Sequence, residues 1–225
     1  MTVNSRYRPW PNSGIHDELI HDFPNSAKVT GNFSQAYQDL FVLTMLRGKL
    51  NGRYLEIGSN EPQLLSNTAL LESLGWKGIS IEILPELVEK FNAQRLNPCY
   101  EADATTFDWK EAVKQQRWRS NRFDYASIDC EPAETTYKAL VNLPEEYRFS
   151  VITYETDVYK DGPIPREKQR AYLTERGYQL VASNVCNGSN PYEDWWVDPE
   201  IVPEEVWLPF HTNEAEARHL FIKNA

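Results

Sequence analysis

Apolar and polar positions along the chain fall into blocks whose period switches back and forth between strand and helix. From Ser34, the positions Phe41, Val42, Met45 and Leu46 recur at helical spacing behind a polar first turn of Gln35, Gln38 and Asp39, which predicts a helix with Ser34 as its N-cap. The run Arg53-Tyr54-Leu55-Glu56-Ile57-Gly58-Ser59-Asn60 then reads as a strand entering a glycine turn and a helix start. Residues 66–74, with Leu70, Leu71 and Leu74 on one face and Gly75 as the stop, read as a helix, and residues 78–83 as a second strand. Pro85 opens the next helix, where its missing N–H costs nothing. A short strand over 98–104, a charged helix over 109–119 and a strand over 123–129 follow. Residues 134–143 and 166–176 read as helices, and 149–154 and 178–185 as strands. The stretch 186–213, rich in Pro, Trp, Asn and Glu, reads as irregular, and an apolar strand over 217–223 closes the chain.

Seven strands alternating with helices predict an α/β fold with a mostly parallel sheet and helices on both faces. Residues 1–32 follow neither period and include Pro9-Trp10-Pro11, so they read as an N-terminal arm or lid, laid on the rest through Trp10 and Phe23. Residues 33–225 read as one domain.

Carboxylates mark the strand ends. Glu56 lies within the first strand, Glu82 near the end of the second, Asp103 ends the third, Asp129 the fourth and Glu155 the fifth. Core packing does not need an acid at each of these points, and in an open parallel sheet ligands bind outside the carboxyl ends of the strands. Glu82 stands at the distance from the glycine turn at which an acid accepts ribose hydroxyls. Glu56, two residues before Gly58, would repel a pyrophosphate and attract a ligand with hydroxyl, ammonium or sulfonium character.

The 225 residues carry a formal net charge of -10, which leaves no general positive field for nucleic acid or an anionic membrane. No leader-like segment opens the chain and no run of some 18 apolar residues occurs, so neither secretion nor membrane spanning is expected. Cys99, Cys130 and Cys186 are odd in number and widely spaced, which fits small buried residues of a reducing, cytoplasmic compartment rather than a disulfide framework or zinc site.

Taken in order, several motifs resemble the FkbM-type methyltransferases, which use S-adenosyl-L-methionine on a Rossmann-like class I fold. They are Ser34-Gln35-Ala36-Tyr37-Gln38-Asp39, Tyr54 to Asn60, Ser66-Asn67-Thr68, Leu71 to Gly78, Ile81-Glu82, Asp124 to Glu131, Ile152 to Glu155, Gly177-Tyr178 and Glu193-Asp194-Trp195. The resemblance implies that Glu56, Gly58 and Asn60 border the methionine end of the cofactor, with Glu82 on the ribose and Asp103 near the adenine. It further assigns cofactor contacts to Gln35, Gln38, Asp39, Asn67, Ile83, Ala104 and Asp129. Pro62 and Pro132 depart from it, standing where the family has glycines; proline fixes φ and removes a donor, so both turns take other shapes.

Methyl transfer to a hydroxyl needs a base or a metal to deal with the proton. Asp129, Glu155 and Asp157 offer oxygen ligands for Mg2+ or Mn2+; alternatively Asp129, Glu131 or Glu155 serves as a general base raised by its acidic neighbours. Asp194 and Trp195, beside Tyr192 and Trp196, read as a segment that covers the acceptor. With the acid pattern, the resemblance implies a carbohydrate or glycoconjugate acceptor. His16 and His21 offer a base only if the arm closes over the site. Two rival readings are a nucleotide-dependent oxidoreductase, which lacks its GxGxxG turn here, and a cofactor-binding module without turnover.

Overall fold

In the computed structural model, residues 22–26, 29, 32–188 and 190–222 are described. Trp10, His16, His21 and most of the expected arm lie outside them. Phe23 is within them and is buried in the core beside α1 (Gln38–Met45).

The chain continues through β1 (Arg53–Ile57), α2 (Ala69–Ser73), β2 (Lys77–Glu82), α3 (Pro85–Gln94), β3 (Cys99–Glu101), α4 (Trp109–Gln115) and β4 (Arg122–Ile128). It goes on with α5 (Ala133–Asn142), β5 (Arg148–Glu155), α6 (Val158–Asp161), α7 (Pro163–Glu175), β6 (Gln179–Cys186) and β7 (Glu193–Val197). It closes with α8 (Glu204–Trp207), β8 (Ala215–Glu216) and α9 (Ala217–Phe221).

The strands form one sheet in the order β3-β2-β1-β4-β5-β7-β6-β8, with β7 antiparallel to both β5 and β6 and all other pairings parallel. This is the Rossmann-like class I methyltransferase arrangement, with one two-residue strand beyond the seven expected. The order reverses between β1 and β4, which makes the ends of those strands the switch point.

Strand alternation divides the core between the two faces of the sheet. Tyr54, Tyr125, Val151, Trp195 and Val197 pack with α1 and α2 on one face, while Leu55, Ile57, Ile79, Ile81, Ile128 and Trp196 pack with α4 and α5 on the other.

Three sequence expectations change here. Residues 193–197 form the internal strand β7 rather than a loop, because Trp195 and Trp196 each find an apolar face; Trp195 stacks on Phe41 with ring centroids 4.6 Å apart. The closing strand over 217–223 is replaced by β8 and the short helix α9, which buries Ala217 and Phe221. Tyr37, in a left-handed conformation, rather than Ser34 takes the N-cap position of α1; Ser34 Oγ still accepts from Asp39 N at 3.4 Å, and Asp39 accepts from Phe33 N, Ser34 Oγ and Leu40 N.

Between β1 and α2 the chain makes a long loop, and a buried guanidinium holds it. Arg95, just past the end of α3, is fully shielded from solvent. Its Nε donates to Glu72 Oε2 at 3.0 Å, Nη1 to Pro62 O at 2.8 Å, and Nη2 to Thr68 Oγ1 at 2.9 Å and Tyr54 OH at 3.2 Å. A buried charge is tolerable only when paired and hydrogen-bonded in this way. Arg95→Ala strands the buried Glu72 and is predicted to cost about 3–5 kcal/mol in urea unfolding; a loss below about 1 kcal/mol, the scale of an exposed ion pair, would contradict the role given to the network.

Candidate functional site

A cleft of about 540 Å³ opens at the carboxyl edge of β1, β2, β3, β4 and β5, across the switch point. That volume lies in the range of small-molecule sites. Its wall brings together Gln35, Gly58, Asn60, Glu82, Ile83, Asp103, Ala104, Asp129, Glu131 and Glu155. All of these were expected at a site from the sequence.

Gly58, just past β1, packs against the carbonyl of Asp129, just past β4. It has φ +77°, and a Cβ built on it would lie 1.7 Å from Asp129 O, so only glycine fits. The turn differs from the expected one in two respects. Helix α2 begins eleven residues after Gly58 rather than immediately, and the N–H groups of Gly58 and Ser59 both donate to Ile81 O, at 3.0 and 3.1 Å. Neither N–H is left to receive an anion.

What the turn offers instead is acceptors. Glu82 Oε2 accepts from Asn60 N at 2.9 Å, and Oε1 from Ile83 N at 2.8 Å and Leu84 N at 3.1 Å. Three backbone donors fix the carboxylate and tie the β1 turn to the end of β2; Oε1 is filled by two of them, while Oε2, with one, retains capacity toward a ligand hydroxyl. Asp103 is exposed and takes both the N–H and the hydroxyl of Thr105 on Oδ1, at 2.8 and 2.7 Å. Those two bonds hold its carboxyl below the usual carboxylate range.

At the β4–β5 side, burial raises Asp129 and Glu155 above ordinary carboxyl values, and Glu155 more so because Asp129 lies against it. The two carboxyls lie close enough to share a hydrogen bond, and for that one of them must hold a proton, since two ionised carboxylates have no donor. No donor among the described residues reaches Glu155 Oε2. Glu131 is exposed at the rim and pairs with Lys160 at 2.9 Å.

Several expected site residues are elsewhere. Glu56 is buried beneath the turn, accepting from Thr68 Oγ1 at 2.7 Å and Ser80 Oγ at 2.5 Å, and supports the loop from below. Gln38 donates to Glu193 Oε2 at 2.9 Å, and Asp39 is engaged at the start of α1, where burial raises it to about 6. Asn67 donates to Ser127 Oγ at 3.0 Å, with its Oδ1 unpartnered among the described residues. Asp194 is sealed in the sheet by Arg170, at 2.7 Å, and Trp195 is core, so neither covers the cleft.

The metal expectation is corrected as well. Among the described residues no group of three or more His, Cys, Asp or Glu side chains is arranged to hold a metal ion. Asp157 does not line the cleft: it is buried at the start of α6 in a left-handed conformation, with Lys160 Nζ 3.7 Å from its Oδ2. A site for Mg2+ or Mn2+ is not supported among the described residues.

One participant escaped the sequence reading. Glu193 pairs with Glu155 across β5 and β7, is buried, and accepts from Trp195 Nε1 at 2.7 Å as well as from Gln38. The run Glu193-Asp194-Trp195-Trp196 suggested Asp194 as the working acid. With β7 as a strand, alternation sends Glu193 and Trp195 to one face and Asp194 to the other.

No protein-family model matches the chain, and no curated protein matches it. Among solved structures, a candidate rRNA methylase from Clostridium thermocellum is similar at 14% identity, covering 74% of this chain and 95% of that one, with a TM-score of 0.49. The O-methyltransferase TomG from Streptomyces achromogenes, in complex with S-adenosylmethionine, is similar at 14% identity over 73% and 80%, with a TM-score of 0.48. Fibrillarin from Aeropyrum pernix, with S-adenosyl-L-methionine natively bound, is similar at 14% over 72% and 76%, with a TM-score of 0.46. These likenesses concern the path of the chain alone, and the fold assignment rests on strand order and direction. No helix among the described residues is long and apolar enough to cross a membrane.

Burial raises Glu193 from 4.5 to about 8, against hydrogen bonds that lower it. Below pH 4.5 the carboxyl is protonated whether folded or unfolded and costs nothing; as pH rises toward 8 the unfolded chain releases the proton more readily, so stability falls. Glu193→Gln, which keeps an acceptor for Trp195 and Gln38, is therefore predicted to gain stability over the parent as pH rises from 5 to 9, by on the order of 4 kcal/mol at most. Thermal melts across that range check it, and a difference independent of pH would contradict it.

Proposed function

We propose that the protein transfers a methyl group from S-adenosyl-L-methionine to a hydroxyl, that of a sugar in a glycan or glycoconjugate. The observation that carries the reading is the cleft at the switch point, where the β1 turn spends its N–H groups internally and presents carboxylates. A nucleotide pyrophosphate needs the opposite, donors aimed outward, which disfavours the oxidoreductase reading. The cleft wall includes Glu82, Asp103, Asp129, Glu131 and Glu155 and, among the described residues, no Lys or Arg. That lining suits a cationic cofactor with ribose hydroxyls and an uncharged acceptor, and it repels a phosphorylated one. The FkbM-type motifs support the sugar acceptor.

In this reading Glu82 holds the ribose hydroxyls, Asn60 and Gly58 border the amino-acid end, and Ile83, Asp103 and Ala104 border the base. When bound, the cofactor supplies an electrophilic methyl group on a sulfonium. Asp129 takes the proton of the acceptor hydroxyl as its oxygen becomes the nucleophile. Glu155 keeps its own proton and donates to Asp129, which positions the base. Burial makes Asp129 a stronger base than a solvated aspartate, because its charged form is poorly solvated until the proton arrives.

The test is mass spectrometry of rhamnose, fucose and hexose glycans incubated with isotopically labelled cofactor. Label should appear on a hydroxyl, EDTA should leave the rate unchanged, and Asp129→Asn should slow turnover about 10²–10⁴-fold while cofactor binding persists. Label on a nitrogen, or Asp129→Asn at the parent rate, would contradict the assignment.

A further inference from the structure

The acidic chain has a basic face that the cleft does not explain. Residues 110–122 contain five of its 23 Lys and Arg residues and one of its 33 Asp and Glu residues. They run from the first turn of α4 to the start of β4, and they border two recesses. One, of about 480 Å³, is walled by Lys110, Lys114, Arg117, Trp118 and Arg119, among others. The second, of about 330 Å³, includes Lys49, Arg53, Ser120 and Arg122. Arg53 joins them: it lines the second recess, and its guanidinium lies 5.6 Å from the centroid of Trp118 in the first.

Three cations here are already neutralised. Lys110 pairs with Glu146 at 2.8 Å, Lys114 with Glu111 at 3.0 Å and Lys49 with Asp124 at 2.6 Å. Arg53, Arg117, Arg119 and Arg122 have no ion-pair partner among the described residues, and Arg53 Nη1 is buried with no hydrogen-bond partner. Arg117 is also held at φ +57°, where an L side chain is disfavoured, between α4 and Trp118.

We propose that this face binds a compact, multiply charged anion of the oligophosphate class. Guanidinium forks match phosphate oxygens in pairs, and four unneutralised arginines suit several charges close together. A long polyanion is disfavoured, because beyond this face it meets the field of a chain with net charge -10. Arg53 and Arg122 begin β1 and β4, whose far ends form the cleft, so the two sites lie a strand length apart, about 17–20 Å. The anion site is thus separate from the methyl-transfer site and holds whether or not that reading does.

Calorimetric titration of the full chain with sodium tripolyphosphate at low ionic strength tests this. Saturable binding is expected, weakened at least about tenfold in Arg119→Glu and in Arg117→Glu/Arg119→Glu, a loss of about 1.4 kcal/mol per site. These side chains are exposed, and thermal melts in the absence of anion should match the parent. No saturable heat with the parent, or variants that bind as it does, would overturn the proposal. Tighter binding of a single-stranded RNA oligonucleotide, lost in the same variants, would overturn it in favour of a nucleic-acid face.

Discussion

The site depends on one close approach, that of Gly58 to the carbonyl of Asp129. With 1.7 Å between that oxygen and a hypothetical Cβ, the ends of β1 and β4 can meet only because residue 58 has no side chain. The meeting places Glu82, Asp129 and Glu155 around one opening. Beneath it, Arg95 gathers Glu72, Tyr54, Thr68 and the carbonyl of Pro62, so the loop that follows Gly58 is pinned by a charge fully withdrawn from water. The contacts at the turn set the opening, and those at Arg95 hold the loop that follows it.

The electrostatics follow from that architecture. Strands β4, β5 and β7 bring Asp129, Glu155 and Glu193 to one buried neighbourhood, and burial raises all three. Carboxyls so placed favour their protonated forms, which is the setting the proposed activation of a hydroxyl draws on. The unpaired positive charge gathers at the other end of the same strands, around Arg53 and Arg122, which gives the molecule two edges of opposite character.

Strand period and carboxylate position were legible in the sequence because both follow from local rules. Alternation located β1, β2, β4 and β5, and Glu82, Asp129 and Glu155 at the ends of the last three lie on the cleft wall, whereas Glu56 of β1 does not. Helix α9 was misread as a strand because Ala217 and Phe221 bury at either period in so short a segment. Strand β7 was missed because Pro, Asn and Glu surround it, and its antiparallel pairing to β5 and β6 is a long-range choice that local pattern does not encode. Glu56 was assigned to the ligand because a buried carboxylate beside a turn glycine looks functional. Its partners, Thr68, Ser80 and the charge of Arg95, come from 12 to 39 residues away. Asp194 went the same way, its partner Arg170 being on α7. Long-range partners decide whether a buried acid is structural or free, and sequence spacing does not reveal them.

The central claim is that the acid-lined cleft binds the methionine-derived cofactor through Glu82. Isothermal calorimetry of S-adenosylhomocysteine against the full chain tests it most directly, because binding requires no knowledge of the acceptor. One saturable site is predicted for the parent, weakened at least about tenfold in Glu82→Ala, the loss of a hydrogen-bonded carboxylate. No saturable binding to the parent, or binding unchanged in Glu82→Ala, would contradict the account.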